Sequence, residues 1–90
     1  MFLLVTRVTH LSGFKLRLEF GNGVTKDVDL AEELYEPAFA PLREEEYFRR
    51  VFLSPESGTI EWPNGASFLP EYLFDIGERV LEPPPEVVLD

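Results

Sequence analysis

The sequence lacks cysteine and is poor in positive charge. Without cysteine, neither a disulfide framework nor a thiolate metal site can form, so packing alone must stabilise the fold. The sequence has eight Lys and Arg residues and seventeen Asp and Glu residues, which gives a formal net charge of -9. Because nucleic-acid phosphates are attracted to clustered basic groups, we expect no direct nucleic-acid binding. The same charge would attract a small basic protein partner, or it could serve solubility alone.

Long apolar runs are also missing. No stretch approaches the roughly 20 apolar residues that a membrane-spanning helix needs. The apolar residues 1–5 are soon followed by Arg7 and His10, and no basic residue precedes them, so they are too short for a secretory signal. We therefore expect no membrane association and a cytoplasmic protein.

Groups that carry catalysis are scarce. His10 is the sole histidine, and no second catalytic group stands at a recognisable spacing, so we expect it at the exposed end of a strand. No serine lies in a nucleophile-elbow or phosphate-loop context. The acidic run at residues 44–46 cannot converge on a cation, because consecutive helical residues point in different directions. We expect no enzyme activity, no cofactor and no metal.

What remains is a chain suited to one small domain. Its 90 residues are 44% hydrophobic and 13% aromatic, which is enough for a single core. The charge is uneven: residues 1–30 carry four basic and three acidic groups (4 − 3 = +1), and residues 31–90 carry four and fourteen (4 − 14 = −10). The acidic excess therefore lies in the C-terminal two thirds.

The N-terminal third predicts a hairpin. Residues 14–20 alternate between apolar and charged, and a Gly-Asn-Gly turn leads into a second strand at residues 24–30. A three-residue loop with Gly23 left-handed puts apolar residues opposite apolar ones and opposite charges face to face. The predicted pairs are Phe14 with Leu30, Leu16 with Val28, Phe20 with Val24, Lys15 with Asp29 and Arg17 with Asp27. Only Lys26 departs from this pattern, on the apolar face.

The other elements complete an α+β pattern. Residues 2–10 predict a strand with a bulge between Val5 and Val8. Asp29 can cap a short helix at residues 31–35, a second helix is indicated around residues 43–50, and residues 51–54 and 59–62 predict a second hairpin. We predict a small antiparallel sheet of about five strands, built from β-hairpins, with two or three short helices. The C-terminal helix packs on one face.

The corner Trp62-Pro63-Asn64-Gly65 is the main candidate for a special site. It ends the second hairpin and turns the chain into the last helix, which Ser67 can cap and Pro70 can begin. Two readings are open: Trp62 is a core ring beneath that helix, or it stacks on a ligand. The spacing of apolar residues favours the core, because an apolar stripe follows the corner at helical intervals, namely Leu69, Leu73, Ile76 and Val80.

These elements together resemble the bacterial domain-of-unknown-function family 2442. The likeness covers about residues 2–80 and rests on residues 13–16, the 20–30 hairpin, Pro41-Leu42-Arg43, and residues 58–65 leading to 70–73. It implies a compact α+β domain, often encoded beside another small protein in pairs like toxin–antitoxin modules. A related domain precedes a helix-turn-helix in longer proteins. Many relatives have Asp at the position of Ser67, and the resemblance supplies no catalytic residue.

Three function classes follow. A protein-interaction module, as the antitoxin-like member of a gene pair, fits the size, the charge and the resemblance. A transcription-related regulator acting through a separate DNA-binding subunit is second, and an enzyme is third. A homo-oligomer is left open.

The tail, residues 82–90, is set apart from a domain at residues 1–81. Three prolines cannot continue a helix, and Val87, Val88 and Leu89 beyond them could add a strand to a sheet edge. A frayed terminus is the other reading. We expect a chain ending at Leu81 to stay folded.

Overall fold

The computed structural model describes residues 3–80, which form two antiparallel sheets and several short helices. The larger sheet has the strand order β1-β2-β3-β6, with β1 at Val5–Ser12, β2 at Lys15–Phe20, β3 at Thr25–Asp29 and β6 at Glu78–Arg79. The smaller sheet pairs β4 at Phe52–Ser54 with β5 at Thr59–Glu61. Two 3₁₀ segments span Ala31–Glu33 and Pro37–Arg43, and the α-helices are α1 at Glu45–Phe48 and α2 at Pro70–Ile76. The predicted α+β class is confirmed.

The register of the first hairpin is confirmed. Leu16 faces Val28, Arg17 faces Asp27 and Lys15 faces Asp29 across β2 and β3. Beyond the ladder, the Phe20 amide donates to the Val24 carbonyl at 2.9 Å, and the Leu30 amide to the Phe14 carbonyl at 2.9 Å. Gly23 has φ of +86°, the left-handed conformation that the three-residue loop requires. This register places apolar residues opposite apolar ones and opposite charges opposite each other, which explains why it is preferred.

Charge pairing on this hairpin is partial. Arg17 Nε lies 2.8 Å from Asp27 Oδ1, and this hydrogen bond lowers the pKa of the Asp27 carboxyl. Within residues 3–80, Lys15 and Asp29 face each other without an ion pair inside 4.0 Å. The Asp29 carboxylate instead accepts from the Ala31 amide at 3.0 Å, but the N-cap of the 3₁₀ segment Ala31–Glu33 is Leu30, so the expected Asp29 cap of a helix at residues 31–35 is wrong.

Lys26 occupies the apolar face, as predicted, and α2 explains why it is tolerated. Its ammonium group lies 3.7 Å from the centre of the Phe74 ring and donates to the Phe74 carbonyl. The end of α2 approaches β3 closely at Gly77, where an added Cβ would lie 2.9 Å from a Val28 methyl and 3.0 Å from the Lys26 Cβ. The last helix therefore packs on the sheet, as expected.

Several elements differ from the sequence-based expectation. The second hairpin has the predicted pairing of Leu53 with Ile60, but it forms its own ladder beside β1. The helix expected around residues 43–50 is a single turn, α1, preceded by the 3₁₀ segment that contains Pro41. The bulge predicted between Val5 and Val8 is confirmed as a register shift between Val5 and Arg7.

The core lies between the larger sheet, α2 and the second hairpin. Its fully enclosed members are apolar and come from segments between β2 and α2: Leu16, Leu18, Val28, Leu30, Leu42, Phe48, Ile60, Trp62 and Leu73. None of the helices within residues 3–80 is long and apolar enough to cross a membrane.

Candidate interaction groove

The corner at Trp62 is enclosed by the fold. The indole ring is 1% exposed, and its Nε1–H donates to the Phe48 carbonyl at 2.8 Å. Phe48 and Phe68 border it, with ring centres 5.5 and 6.1 Å away. A ligand therefore has no free face of Trp62 on which to stack in this arrangement.

The rest of the corner holds the chain in its turn. The Trp62 amide donates to the Ala66 carbonyl at 3.0 Å, and Gly65 has φ of +87°. The Asn64 side chain accepts from the Ala66 amide at 3.1 Å and donates to the Ala38 carbonyl, also at 3.1 Å. Asn64 thus ties the corner to the second 3₁₀ segment, and Pro63 is exposed beside it.

The residues that follow the corner line a surface depression that was not predicted from the sequence. We call it the aromatic groove: it has a volume of about 330 Å³, and its lining residues are Glu33, Tyr35, Glu36, Phe39, Ser67, Phe68, Leu69 and Tyr72. Three chain segments meet here, namely both 3₁₀ segments with their connection and the stretch that enters α2. Among residues 3–80, Ser67 is the one member of the predicted set that lines it.

The floor of the groove is a stack of rings. Phe68 lies parallel to Phe39, with 4.6 Å between ring centres and 4° between planes, and parallel to Tyr72 at 6.3 Å and 10°. Phe68 is 8% exposed, and the Thr59 hydroxyl fixes its backbone by donating to the Phe68 carbonyl at 2.7 Å. The floor is therefore anchored to the core.

The rim carries large apolar groups in solvent. Leu69 and Tyr35 are each 71% exposed, and Tyr72 is 42% exposed. Leu69 was expected in the buried stripe of the last helix, and that expectation is wrong. Leu69 precedes Pro70, the first helical residue, and a residue before proline is held extended; Leu69 has ψ of 139°. It therefore lies outside the helix and projects from it.

Acidic groups complete the rim. Glu33 accepts a hydrogen bond from the Tyr72 hydroxyl, which connects α2 to the first 3₁₀ segment. That bond and the Glu33 charge, with partial desolvation, raise the pKa of Tyr72 to about 12. Glu36 is exposed at the other side. No Lys or Arg lines the groove, and within residues 3–80 neither glutamate has a basic partner inside 4.0 Å.

The other predicted positions give no comparable arrangement. His10 is half-buried, with Nε2 2.9 Å from the Gly13 carbonyl oxygen and its ring against Phe48. Glu44, Glu45 and Glu46 border a depression of about 430 Å³ together with Arg50 and a single aromatic residue, Tyr47. Among residues 3–80 no cluster of three or more His, Asp or Glu side chains could hold a metal ion. The tail residues Val87, Val88 and Leu89 lie outside the described residues.

The sequence did hold a signal for the groove. Ser67-Phe68-Leu69-Pro70 ends in a leucine before proline, which marks Leu69 as a residue ahead of the helix rather than one within its stripe. The partners Tyr35 and Phe39 are 34 and 30 positions upstream of Leu69 (69 − 35 and 69 − 39), so only the folded chain brings them to the same surface.

Comparisons with known proteins agree with the fold and leave the function open. The family model described as "Protein of unknown function (DUF2442)" matches residues 5–78. The sequence matches no curated protein. A solved crystal structure from Nitrosomonas europaea ATCC 19718, described as a "Putative DNA Binding Protein", is similar with a TM-score of 0.74 and 28% identity over 83% of this chain. The match covers 48% of that protein, so this chain spans about half its length.

This likeness corrects one expectation. Net charge led us to exclude direct nucleic-acid binding, and that exclusion is wrong, since a similar protein is described as DNA-binding. The physical reason is that phosphate contacts depend on local groups, whereas net charge sums over the whole surface. In this chain Arg7, Lys15 and Arg17 are all exposed on β1 and β2, and none of them lines the acidic groove.

Proposed function

The chain belongs to the DUF2442 family of proteins of unknown function, and from that premise we propose that it is a non-catalytic module that binds another protein through the aromatic groove. The observation that carries this proposal is the exposed pair Leu69 and Tyr35, each 71% exposed, beside the fixed ring of Phe68. Apolar groups collected in one place and rimmed by polar ones are typical of protein-interaction surfaces.

The dimensions of the groove favour a short linear segment as the occupant. The groove has a volume of about 330 Å³, which admits one or two side chains of a partner. A complete globular interface would instead need about 800 Å² of buried surface on each partner. The floor is rigid, because Phe68 is held by the buried Thr59 bond, so little ordering free energy would be lost on binding. An antitoxin-like role in a gene pair is one form of this proposal, in which the paired protein supplies the segment.

Selection of peptides tests the proposal. A library of random linear peptides is displayed and selected against the full chain, and each enriched peptide is then titrated against the wild type and two variants. We expect Leu69→Ser to weaken binding strongly. Phe52→Ser should leave binding unchanged, because Phe52 is also exposed, at 44%, but lies outside the groove. Enriched peptides that bind both variants alike, or a selection without enrichment, would contradict the proposal.

DNA binding is a second candidate, favoured by the similar protein described as DNA-binding. The exposed Arg7, Lys15 and Arg17 would contact phosphates, although Glu19 and Asp27 lie against the two arginines. Titration of labelled duplex DNA at low and moderate salt tests it. Salt-sensitive binding that Arg17→Gln weakens would support this candidate, and no binding at low salt would contradict it.

A further inference from the structure

The groove combines aromatic faces with uncompensated negative charge. Its lining holds four aromatic rings, one leucine, one serine and two glutamates, and it holds no basic residue. Aromatic faces attract cations through the ring quadrupole, and carboxylates attract them directly. An acidic or neutral segment would leave Glu33 and Glu36 unpaired at the contact, so the lining selects for positive charge.

Basic side chains elsewhere in the molecule already use such surroundings. The Lys26 ammonium lies 3.7 Å from the centre of the Phe74 ring, and the Arg50 guanidinium lies 5.8 Å from that of Tyr47. The groove offers the same kind of ring without a cation of its own. An incoming cation would therefore complete an arrangement that residues 3–80 already form at Lys26 and at Arg50.

The rings and carboxylates of the groove favour arginine over lysine. A guanidinium is planar, stacks on a ring face and can donate to two oxygens of a carboxylate at once, whereas an ammonium is a compact and strongly hydrated charge. The exposed rings of Tyr35 and Tyr72 stand beside Glu36 and Glu33, so a stacked guanidinium could reach a carboxylate. Leu69 adds an apolar contact for a neighbouring side chain of the same segment.

We propose that the aromatic groove recognises an arginine next to an apolar residue in the bound protein segment, with the guanidinium stacked on tyrosine and paired with Glu33 or Glu36. This rests on the proposed function and specifies the chemistry of the occupant. The hydrogen bond from the Tyr72 hydroxyl orients the Glu33 carboxylate at the rim of the groove.

The test starts from peptides that bind the wild type and lose affinity for Leu69→Ser. We expect arginine to be enriched among them beside an apolar residue. Replacing that arginine with citrulline keeps the shape and removes the charge, and it should lower the affinity about tenfold or more, since hydrogen bonds to charged groups are the stronger class. Lysine at the same position should restore only part of the loss.

Protein variants supply the reciprocal evidence. Glu33→Gln combined with Glu36→Gln removes both charges and leaves an amide oxygen that can still accept from Tyr72, so the groove should keep its form. In this double variant the arginine and citrulline peptides should bind with similar affinity. Glu56→Gln is the matched control, since Glu56 is exposed in the β4–β5 turn outside the groove, and it should keep the full preference.

The outcomes separate the two proposals. If Leu69-dependent peptides bind equally well with citrulline, or if the double variant keeps the preference for arginine, the arginine inference fails and the interaction function stands. If lysine replaces arginine without loss, the stacking part of the inference fails. If no peptide depends on Leu69, the proposed function itself fails. Light scattering of the full chain covers a further occupant: a dimer that Leu69→Ser dissociates would place a second copy in the groove and overturn the inference.

Discussion

Trp62 and Leu69 belong to one short segment and have opposite surroundings. Trp62 is 1% exposed and Leu69 is 71% exposed. Trp62 is the single tryptophan beside a turn, and the sequence favoured a core ring there over a ligand-stacking one, whereas it assigned Leu69 to the buried helical stripe. The structure buries Trp62 as favoured, since Phe48 covers the indole ring, and it exposes Leu69 against expectation, since Pro70 keeps Leu69 outside the helix. Residue type therefore says less about a binding role than the neighbours that cover it.

The largest effect should come from removing the Trp62 ring. Trp62→Ala should lower the free energy of unfolding by about 3–5 kcal/mol, because it opens a cavity in the core and removes the indole hydrogen bond to the Phe48 carbonyl. Denaturant unfolding measures this. An unchanged unfolding curve would show that Trp62 does not support the core.

Replacing Asn64 should lower stability by a smaller amount. Asn64 connects the Trp62 corner to the second 3₁₀ segment. Asn64→Ala removes the bond to the Ala66 amide and the bond to the Ala38 carbonyl, and we expect about 1 kcal/mol less stability. The matched control is Asn22→Ala in the first hairpin. Asn22 makes the same kind of bond within its turn, to the Val24 amide at 3.1 Å, and makes no second side-chain bond among the described residues.

The difference between those two variants measures the connection from the corner to the second 3₁₀ segment. Equal losses for Asn64→Ala and Asn22→Ala would mean that the bond to Ala38 contributes nothing to stability. Thermal or denaturant unfolding of both variants in the same buffer decides this.

Leu69→Ser should change stability little, within about 0.5 kcal/mol, because the side chain is mostly in solvent. The two variants should therefore differ in what they change: Trp62→Ala should lower stability, and Leu69→Ser should lower peptide binding. A large loss of stability in Leu69→Ser would break the comparison, since it would make Leu69 a structural residue.

The smallest expected effect concerns the pH at which the Tyr72 hydroxyl loses its proton. The pKa of Tyr72 is raised to about 12, above its ordinary value near 10, so the protonated hydroxyl is favoured in the folded chain. The hydrogen bond to Glu33 therefore contributes fully below about pH 10 and is lost as the pH rises toward 12. Tyrosinate absorbance, with Tyr72→Phe to identify the signal, measures this step.

Glu33→Gln is the control for that titration. It keeps an acceptor and removes the charge, so the Tyr72 step should move toward its ordinary pKa. A step that stays where it is in this variant would show that burial, rather than Glu33, holds the proton on Tyr72.

The sequence by itself determined the β2–β3 hairpin, including its register, because both faces of each strand are encoded locally by alternation and the turn by Gly23. It also indicated the α+β class and placed Pro70 in the first turn of α2, but the expected Ser67 cap is wrong, because the N-cap is Leu69 and makes no side-chain cap bond. Tertiary structure decided the rest: it limited α1 to one turn, gave the second hairpin its own sheet, and brought Tyr35 and Phe39 against Phe68, Leu69 and Tyr72. The physical reason is range, since register and caps depend on neighbours a few positions away, and the groove depends on contacts between segments about thirty residues apart that form only when the core has packed.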